Sequence, residues 1–180
     1  IAAIQKLKEI EQRVANGGSP AFEDEQKILA QYTGWGGLSD AFDPNKSAWS
    51  NEYSQLKAAL SESEYEAARS STLTAFYTPA TVIHPIYRAL ERFGVKGGKI
   101  LEPSMGTGAF LAHGHFGSSD AKFYGVELDS ITGRISKQLY QKANIQVTGY
   151  ENALLPDNYF DCVIGNVPFG NFQVNDPQYN

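Results

Sequence analysis

Residues 100–110 place an acid, a turn and two glycines in an order that suits ligand binding. The stretch reads Ile-Leu-Glu-Pro-Ser-Met-Gly-Thr-Gly-Ala-Phe. An apolar run ends at Glu102, Gly106 and Gly108 follow one residue apart, and an apolar pattern that includes Phe110 can begin a helix. This order is typical of a parallel strand that passes through a tight loop into a helix at the carboxyl edge of an open α/β sheet. Because glycines let a ligand approach the backbone and a helix N-terminus offers free N–H groups, we predict a ligand-binding loop.

The spacing of this loop disfavours two common ligands and favours a third. A dinucleotide fingerprint has a third glycine where this chain has Leu111, and a phosphate loop needs a Gly-Lys-Ser/Thr sequence that residues 98–100 do not supply. Glu127 follows the loop by about 20 residues, at the end of the next predicted strand, where an acid can accept hydrogen bonds from both ribose hydroxyls. A solvated loop acid is the alternative for Glu127, and Asp129 is the less favoured ribose ligand. The pattern therefore predicts a nucleoside with a small charged tail, such as S-adenosylmethionine.

A second stretch, residues 165–170, reads Gly-Asn-Val-Pro-Phe-Gly where a later strand should meet the same edge. The exocyclic amine of adenine is a poor nucleophile because its lone pair is delocalised into the ring. Two acceptors, the Asn166 carboxamide and the backbone carbonyl of Val167 or Pro168, would favour a pyramidal nitrogen that can attack a sulfonium methyl in line. Phe169 could stack on a base flipped out of a duplex. These residues predict methylation of an amine.

The elements that must position these residues alternate between strand and helix. We predict strands over 99–102, 122–127, 145–148 and 160–165, with Val163 and Ile164 buried, and a helix after the second strand through Tyr140. Such alternation implies parallel pairing and right-handed crossovers, with the sheet order three, two, one, four.

The first part of the chain is predicted to be helical. Helical periodicity covers residues 1–15, 22–32 and 81–93, and one or two helices lie within 51–70, where Ser61 and Glu64 form a capping box. Between them, residues 32–38 read Tyr-Thr-Gly-Trp-Gly-Gly-Leu. This loop is either a glycine turn held by one buried tryptophan, which we favour, or a loop that covers the cofactor or touches DNA.

Composition limits the remaining possibilities. The chain has 180 residues, 42% of them hydrophobic, and a net charge of −5, which argues against a strongly basic nucleic-acid surface although a local patch is compatible with it. One cysteine excludes an internal disulfide framework and fits a reducing, cytoplasmic location. We read Cys162 as a small buried hydrophobe and expect no metal at His113 and His115 and no membrane span. Because the chain starts without Met and stops without a closing element, we expect a fragment of a longer protein.

Residues 100–110 and 165–170 together resemble the gamma-type amino-methyltransferases, which modify adenine in DNA and carry Asn-Pro-Pro-Tyr/Phe at this site. Residues 32–38, 75–79 and 99–170 look most like the large methylase–helicase fusion proteins of phages, plasmids and conjugative elements. This resemblance implies an α/β, Rossmann-like S-adenosylmethionine-dependent methyltransferase fold with a doubly wound, mainly parallel sheet. It also implies that residues 1–73 are a helical N-terminal extension and that residues 74–180 are the cofactor-binding and catalytic-loop region, truncated after that loop.

The resemblance assigns site residues by matching motifs. It implies that Thr78 lies near the methionine carboxylate, that Glu102, Gly106 and Gly108 surround the methionine moiety, that Glu127 binds the ribose, and that Glu151, after a one-residue gap, binds the cofactor's adenine amine. The other cofactor-binding positions that it implies are Tyr77, Pro79, Pro103, Phe110 and Leu128. The catalytic positions are Asn166, Pro168 and Phe169. The chain departs from the commoner motif at Val167, where many relatives have proline, and this difference affects the rigidity of the loop.

The predicted activity is methyl transfer from S-adenosylmethionine to the exocyclic amine of adenine in DNA, within a larger mobile-element protein of a phage, a plasmid or a restriction-modification context. DNA is the expected partner, with a covalently linked helicase region in the full-length protein. Two alternatives stay open: the same chemistry on a glutamine side chain or an RNA base, and a cofactor- or DNA-binding module without turnover. Because a complete methyltransferase sheet needs about three more strands, the fragment could bind the cofactor without methylating.

Overall fold

Four parallel strands form the centre of the fold. The structure, a computed structural model, describes residues 1–114, 116 and 121–168. Its strands are β1 (Lys99–Glu102), β2 (Lys122–Glu127), β3 (Asn144–Val147) and β4 (Cys162–Val163), in the sheet order β3-β2-β1-β4. All three pairings are parallel, and the register sets Glu102 beside Gly125 and Glu127 beside Val147. The predicted order and the α/β, Rossmann-like class are confirmed, and the carboxyl ends of the strands meet at one edge.

Seven α-helices accompany the described part of this sheet. They are α1 (Ala2–Ala15), α2 (Glu23–Leu29), α3 (Ser50–Ala59), α4 (Glu62–Ser71), α5 (Ala80–Arg92), α6 (Ala109–His113) and α7 (Ser130–Leu139), with 3₁₀ turns at Ser39–Phe42, Ser47–Trp49 and Tyr150–Asn152. The capping box of Ser61 and Glu64 begins α4 as predicted, because each residue satisfies the backbone N–H of the other. None of the described helices is long and apolar enough to span a membrane.

Two buried clusters hold these elements together. In the first, α1 contributes Ile4, Leu7 and Ile10 at helical spacing, and the helical N-terminal region packs with them against Ile131 and Ile135 of α7. The second cluster joins α5 and α6 to the sheet through Ile83, Tyr87, Ile100, Phe110, Phe116 and Ile164. Helix α7 therefore belongs to the core of residues 1–73 and also contacts β2 and β3.

Ion pairs reinforce the contact between α7 and the N-terminal helices. Arg134 of α7 forms ion pairs with Glu11 of α1 and Glu64 of α4, and Lys8 also donates to Glu64 at 3.1 Å. Although burial by itself would raise the pKa of Glu64, hydrogen bonds from Arg134, the Ser61 backbone and Lys8 lower it to about 2. The carboxylate of Glu64 thus stays ionised within a network that joins three helices.

Several predicted boundaries need correction. Helix α2 ends at Leu29 instead of residue 32, and β3 begins one residue before Ile145. The fourth strand has only two residues instead of six, and Val163, predicted to be buried, is 59% exposed while Ile164 is buried. Among the described residues, β4 is an edge strand that pairs with β1 alone. An apolar residue in β4 is therefore not necessarily buried.

Candidate active site

A cleft opens at the edge where the strands end. Its lining comes from the strand ends and following segments of β1, β2 and β4 and from two segments of the N-terminal half. The N-terminal residues are Trp35, Ser71, Thr74, Ala75, Phe76, Tyr77 and Thr78. The others are Glu102, Ser104, Met105, Gly106, Ala109, Phe110, Glu127, Leu128, Asp129, Thr132, Asn166, Val167 and Pro168. The parallel register brings these loops together, because the carboxyl ends of the strands share one edge.

The glycine loop after β1 is held from two sides. Gly106 N–H donates to the Glu127 carboxylate at 2.7 Å, and from α7 the Ser136 hydroxyl donates to the Gly106 carbonyl and the Tyr140 hydroxyl to the Thr107 carbonyl, both at 3.1 Å. The loop is therefore fixed by β2 and by α7.

The two glycines of this loop are needed mainly for packing against tyrosines. Both have positive φ, +54° at Gly106 and +78° at Gly108. A Cβ at Gly108 would lie 2.4 Å from the Tyr140 ring, and one at Gly106 would lie 3.0 Å from the Tyr77 ring. The sequence suggests that glycine leaves room for a ligand, and the structure adds that both glycines leave room for aromatic rings of the protein itself.

Glu102 ends β1 inside the cleft with one oxygen unsatisfied. Its side chain is 3% exposed, and Oε2 has no hydrogen-bond partner among the described residues. Burial, with a smaller contribution from the charge of Glu127, raises the pKa of Glu102 to about 9. A buried acceptor of this kind is suited to a ligand that brings its own N–H donors, a cation above all.

Glu127 ends β2, and both of its oxygens already accept backbone hydrogen bonds. Oε2 takes the Gly106 N–H and Oε1 takes the Asp129 N–H at 2.8 Å. Burial raises the pKa of Glu127 while these backbone hydrogen bonds lower it. Each carboxylate oxygen keeps a further lone pair, so Glu127 can fix the loop and still accept from a ligand. Leu128, next to it, is 75% exposed at the same cleft.

Tyr77 and Thr78 line the cleft just before α5, whose N-cap is Pro79. Burial raises the pKa of Tyr77 to about 12, although the nearby Trp35 backbone acts in the opposite direction. Pro79 is exposed and does not line the cleft. Of the predicted Tyr-Thr-Pro motif, the first two residues are thus at the site and the third begins the helix.

The loop after β4 reaches the same cleft. Gly165 lies against β1, because a Cβ there would be 3.5 Å from both Glu102 and Pro103. Asn166 and Pro168 are exposed and line the cleft near Glu102. Phe169, the third predicted catalytic residue, lies outside the described residues.

Other predicted residues lie elsewhere. Glu151 is exposed in the Tyr150–Asn152 turn, where it accepts a hydrogen bond from Asn152, and it does not line the cleft. Pro103 and Gly108 are part of the glycine loop but not of the cleft wall, whereas Phe110 lines it. Cys162 is half-buried, and burial raises the pKa of its thiol. No group of three or more metal-ligating side chains occurs among the described residues.

The sequence did not point to Thr132 as a cleft residue, ranked Asp129 below Glu127, and favoured a structural, buried Trp35. Trp35 is 3% exposed, and its indole N–H donates to Asp129 Oδ2 at 3.0 Å. The tryptophan is therefore buried, as favoured, and it also lines the cleft. The signal in the sequence was the glycine-flanked tryptophan, but its partner lies 94 residues away.

Comparison with known proteins identifies the family. Residues 63–179, more than half of the chain, match the N-6 DNA Methylase family model. The chain belongs to this family. It is a methyltransferase domain, and its cofactor is S-adenosylmethionine, as predicted from the two loops.

Parts of the chain are similar to individual proteins. The chain is 29% identical over 155 residues to "Defense against restriction protein B" of Escherichia phage P1, covering 85% of this chain and 5% of that protein. It is 33% identical over 95 residues to "Modification methylase CviBIII" of Paramecium bursaria Chlorella virus NC1A, covering 52% of this chain and 25% of that protein. A solved TehB-like SAM-dependent methyltransferase from Corynebacterium glutamicum has 17% identity and a TM-score of 0.37 over 66% of this chain and 53% of that one. The chain thus spans a quarter or less of the length of both curated relatives.

Proposed function

We propose that this domain transfers a methyl group to the exocyclic amine of adenine in DNA. The observation that carries the proposal is the position of Asn166 and Pro168 at one cleft with Glu102 and Glu127, within a chain of the N-6 DNA methylase family. S-adenosylmethionine, when bound, supplies an electrophilic methyl group on a sulfonium.

The cleft residues divide into two groups in this proposal. Glu102, with its unsatisfied buried oxygen, accepts hydrogen bonds from the ammonium group of the cofactor, and Glu127 accepts from its ribose hydroxyls. Tyr77, Thr78, Gly106 and the other predicted cofactor residues that line the cleft surround the rest of it. Glu151 keeps its predicted role as ligand of the cofactor's adenine amine only if the turn around it moves toward the cleft, since it is exposed outside it in this structure.

Asn166 is suited to activate the amine of the target base. Its exposed carboxamide sits at the cleft, so an extruded base can reach it from outside. The carboxamide oxygen and the backbone carbonyl of Val167 or Pro168 accept the two amine hydrogens, which localises the nitrogen lone pair for attack. The N–C bond would form as the sulfonium S–CH₃ bond breaks, a neutral thioether would leave, and the methylated nitrogen would then lose one proton to solvent. Preorganised acceptors of this kind contribute about 10²–10³ in rate.

Methyl transfer to defined DNA tests this proposal. Wild-type protein is incubated with radiolabelled S-adenosylmethionine and a DNA duplex, and the digested nucleosides are separated by chromatography. N6-methyladenine is the expected product; label in cytosine, RNA or a glutamine side chain would contradict adenine specificity, and cofactor binding without labelled product would indicate a binding module. Asn166→Ala should lower transfer by about 10²-fold or more with little change in cofactor affinity.

Asn152→Ala is the matched control for this variant. Asn152 is also exposed, but it lies in the Tyr150–Asn152 turn and does not line the cleft. Transfer by this variant should stay within about twofold of wild type. Equal losses in the two variants would contradict a specific role for Asn166. If the 180-residue chain is inactive, the same pair of variants is compared in the longer protein.

The wider role follows from the relatives and stays part of the proposal. A phage relative is named for defence against restriction and covers 85% of this chain. A domain that methylates adenine would protect the DNA of a phage or plasmid from cleavage in the bacterial cytoplasm. Linkage to a helicase region in the full-length protein remains a prediction.

A further inference from the structure

The loop of residues 34–37, Gly-Trp-Gly-Gly, crosses from the helical N-terminal region to the wall of the cofactor cleft. Its tryptophan, Trp35, is 3% exposed and lines the cleft. The indole N–H donates to Oδ2 of Asp129 at 3.0 Å, and both groups are buried. A hydrogen bond between a buried donor and a carboxylate is among the stronger ones in a protein.

Asp129 has one oxygen that is fully used and one that is free. Oδ2 accepts from Trp35 and also from the backbone N–H of Thr132 at 2.8 Å, where Asp129 caps α7. Oδ1 is buried and has no hydrogen-bond partner among the described residues. Asp129 lines the cleft but is only 4% exposed. A buried acceptor without a donor is costly, so this oxygen calls for a donor from a ligand.

The loop of residues 34–37 also leaves the space in which the Tyr77 side chain packs. A Cβ at Gly34 would lie 1.6 Å from the Tyr77 hydroxyl, and a Cβ at Gly36 would lie 2.1 Å from the Ala75 carbonyl oxygen. On the other side the Tyr77 ring contacts Gly106 of the glycine loop. The ring of Tyr77 is thus held between the loop of residues 34–37 and the glycine loop of the cleft.

The loop is anchored firmly enough to hold these positions. Gly37 N–H donates to the Thr72 carbonyl at 3.2 Å, the Tyr32 hydroxyl lies 2.9 Å from the Thr132 hydroxyl, and the Trp35 ring packs edge-on against Phe42 with centroids 5.5 Å apart. The helical region and the cleft therefore share one set of contacts around α7.

We propose that the N-terminal helical region completes the cofactor site, with Trp35 as a positioning residue that fixes Asp129 so that Oδ1 accepts a hydrogen bond from a donor group of S-adenosylmethionine. The inference rests on the cofactor assignment within the proposed function and adds a residue to it. Trp35 does not itself touch the reacting atoms; it acts through Asp129.

Trp35→Phe tests the inference, with Trp49→Phe as its matched control. Phenylalanine keeps an aromatic ring but loses the N–H donor together with the pyrrole part of the indole. Trp49→Phe removes the same atoms from a residue that packs against the same N-terminal core without lining the cleft, so it controls for the lost ring volume. Calorimetric titration with S-adenosylmethionine, at a temperature where circular dichroism shows all proteins folded, should give about tenfold or weaker binding for Trp35→Phe. Trp49→Phe should bind within about twofold of wild type, even where its unfolding midpoint falls.

Asp129→Asn supplies a second, independent measurement. Asparagine keeps one acceptor oxygen for the cap and for the indole, and it puts an NH₂ group in place of the free oxygen. Binding should weaken about tenfold, and adding Trp35→Phe to this variant should change affinity much less than it does in wild type.

Each other outcome overturns the inference. The inference is wrong if folded Trp35→Phe binds S-adenosylmethionine with wild-type affinity, or if both tryptophan variants weaken binding equally. It is also wrong if Asp129→Asn binds with wild-type affinity, and this result decides by itself if Trp35→Phe does not fold. Absence of binding by folded wild-type protein would overturn it together with the cofactor assignment. Binding that follows these expectations, without methyl transfer to adenine by either the 180-residue chain or the longer protein, would refute the proposed function and leave this inference standing.

Discussion

Cofactor binding is expected to tighten as the pH rises, because Glu102 is neutral in the free protein. Its pKa is raised to about 9 by burial, so at pH 7 only about one molecule in a hundred carries the charge that an ammonium group would pair with. Ionising Glu102 at pH 7 costs about 3 kcal/mol, which the cationic ligand must offset. Binding should therefore release close to one proton, and the dissociation constant should fall up to about tenfold per pH unit from pH 6 to 7.5.

Calorimetry over this pH range measures both effects. The α-amino group of the ligand titrates near pH 7.7–8.0, so at the upper limit of about pH 7.5 more than half of it still carries its charge. Titrations in phosphate and in Tris, whose ionisation enthalpies differ, give the number of protons released. Glu102→Gln should bind with no proton release and no pH slope, whereas Glu151→Gln, changed outside the cleft, should keep both. A flat dissociation constant without proton release in wild type would refute the pairing of Glu102 with a cation.

The same carboxyl group predicts how the stability of the free protein depends on pH. A pKa that is higher in the folded than in the unfolded chain means that the folded state binds more protons between about pH 4.5 and 9. The contribution of Glu102 to stability is thus complete below about pH 4.5 and declines as the pH rises toward 9.

Two further pairs of variants test the packing around the site. Arg134→Met breaks the ion-pair network of α7 and should lower the free energy of unfolding, measured by urea titration at pH 7, by about 1–3 kcal/mol. Arg69→Met, which removes an exposed ion pair, should change it by less than about 0.5 kcal/mol. Equal effects of the two variants would contradict a special role for the network. Gly34→Ala and Gly37→Ala both place alanine at positive φ, and each should lose about 1–2 kcal/mol of stability for this reason. Only the Cβ at residue 34 would meet Tyr77, so only Gly34→Ala should weaken S-adenosylmethionine binding. Unchanged cofactor affinity in Gly34→Ala would show that the seating of Tyr77 is not needed for binding.

Local patterns were enough to predict the sheet order and the strand-end loops that meet at the cleft. An apolar run that ends in an acid at Glu102 and again at Glu127 marks two strand ends, and the connection rules for parallel strands then order the sheet. Those rules alone bring the two acids to one edge, together with Asn166. Periodicity likewise located α1, because Ile4, Leu7 and Ile10 recur at helical spacing.

Contacts between distant segments could not be predicted in this way. The hydrogen bond of Trp35 with Asp129 joins residues 94 positions apart, and nothing in either local pattern specifies the other. The exposure of Val163 depends on whether another strand pairs with β4, and an apolar run in the sequence does not show this. Whether Glu151 lies at the cleft depends on the path of the turn after β3, where a one-residue gap in a motif changes the direction of the side chain.

The three acids of the cleft differ in how far the protein itself satisfies them, and this difference suggests what the cofactor does for the fold. Glu127 accepts one backbone N–H on each oxygen and shapes the glycine loop, whereas Glu102 and Asp129 each retain one buried oxygen that has no partner among the described residues. Two unsatisfied buried acceptors cost about 1–3 kcal/mol each in the free protein. A ligand that supplies donors to both recovers this cost on binding. S-adenosylmethionine should therefore raise the stability of the domain by more than its contacts with Glu127, whose oxygens already have backbone partners, could provide. Because Trp35 and α7 hold one of these acids, that stabilisation should extend into the N-terminal helices, which unfold with the same core.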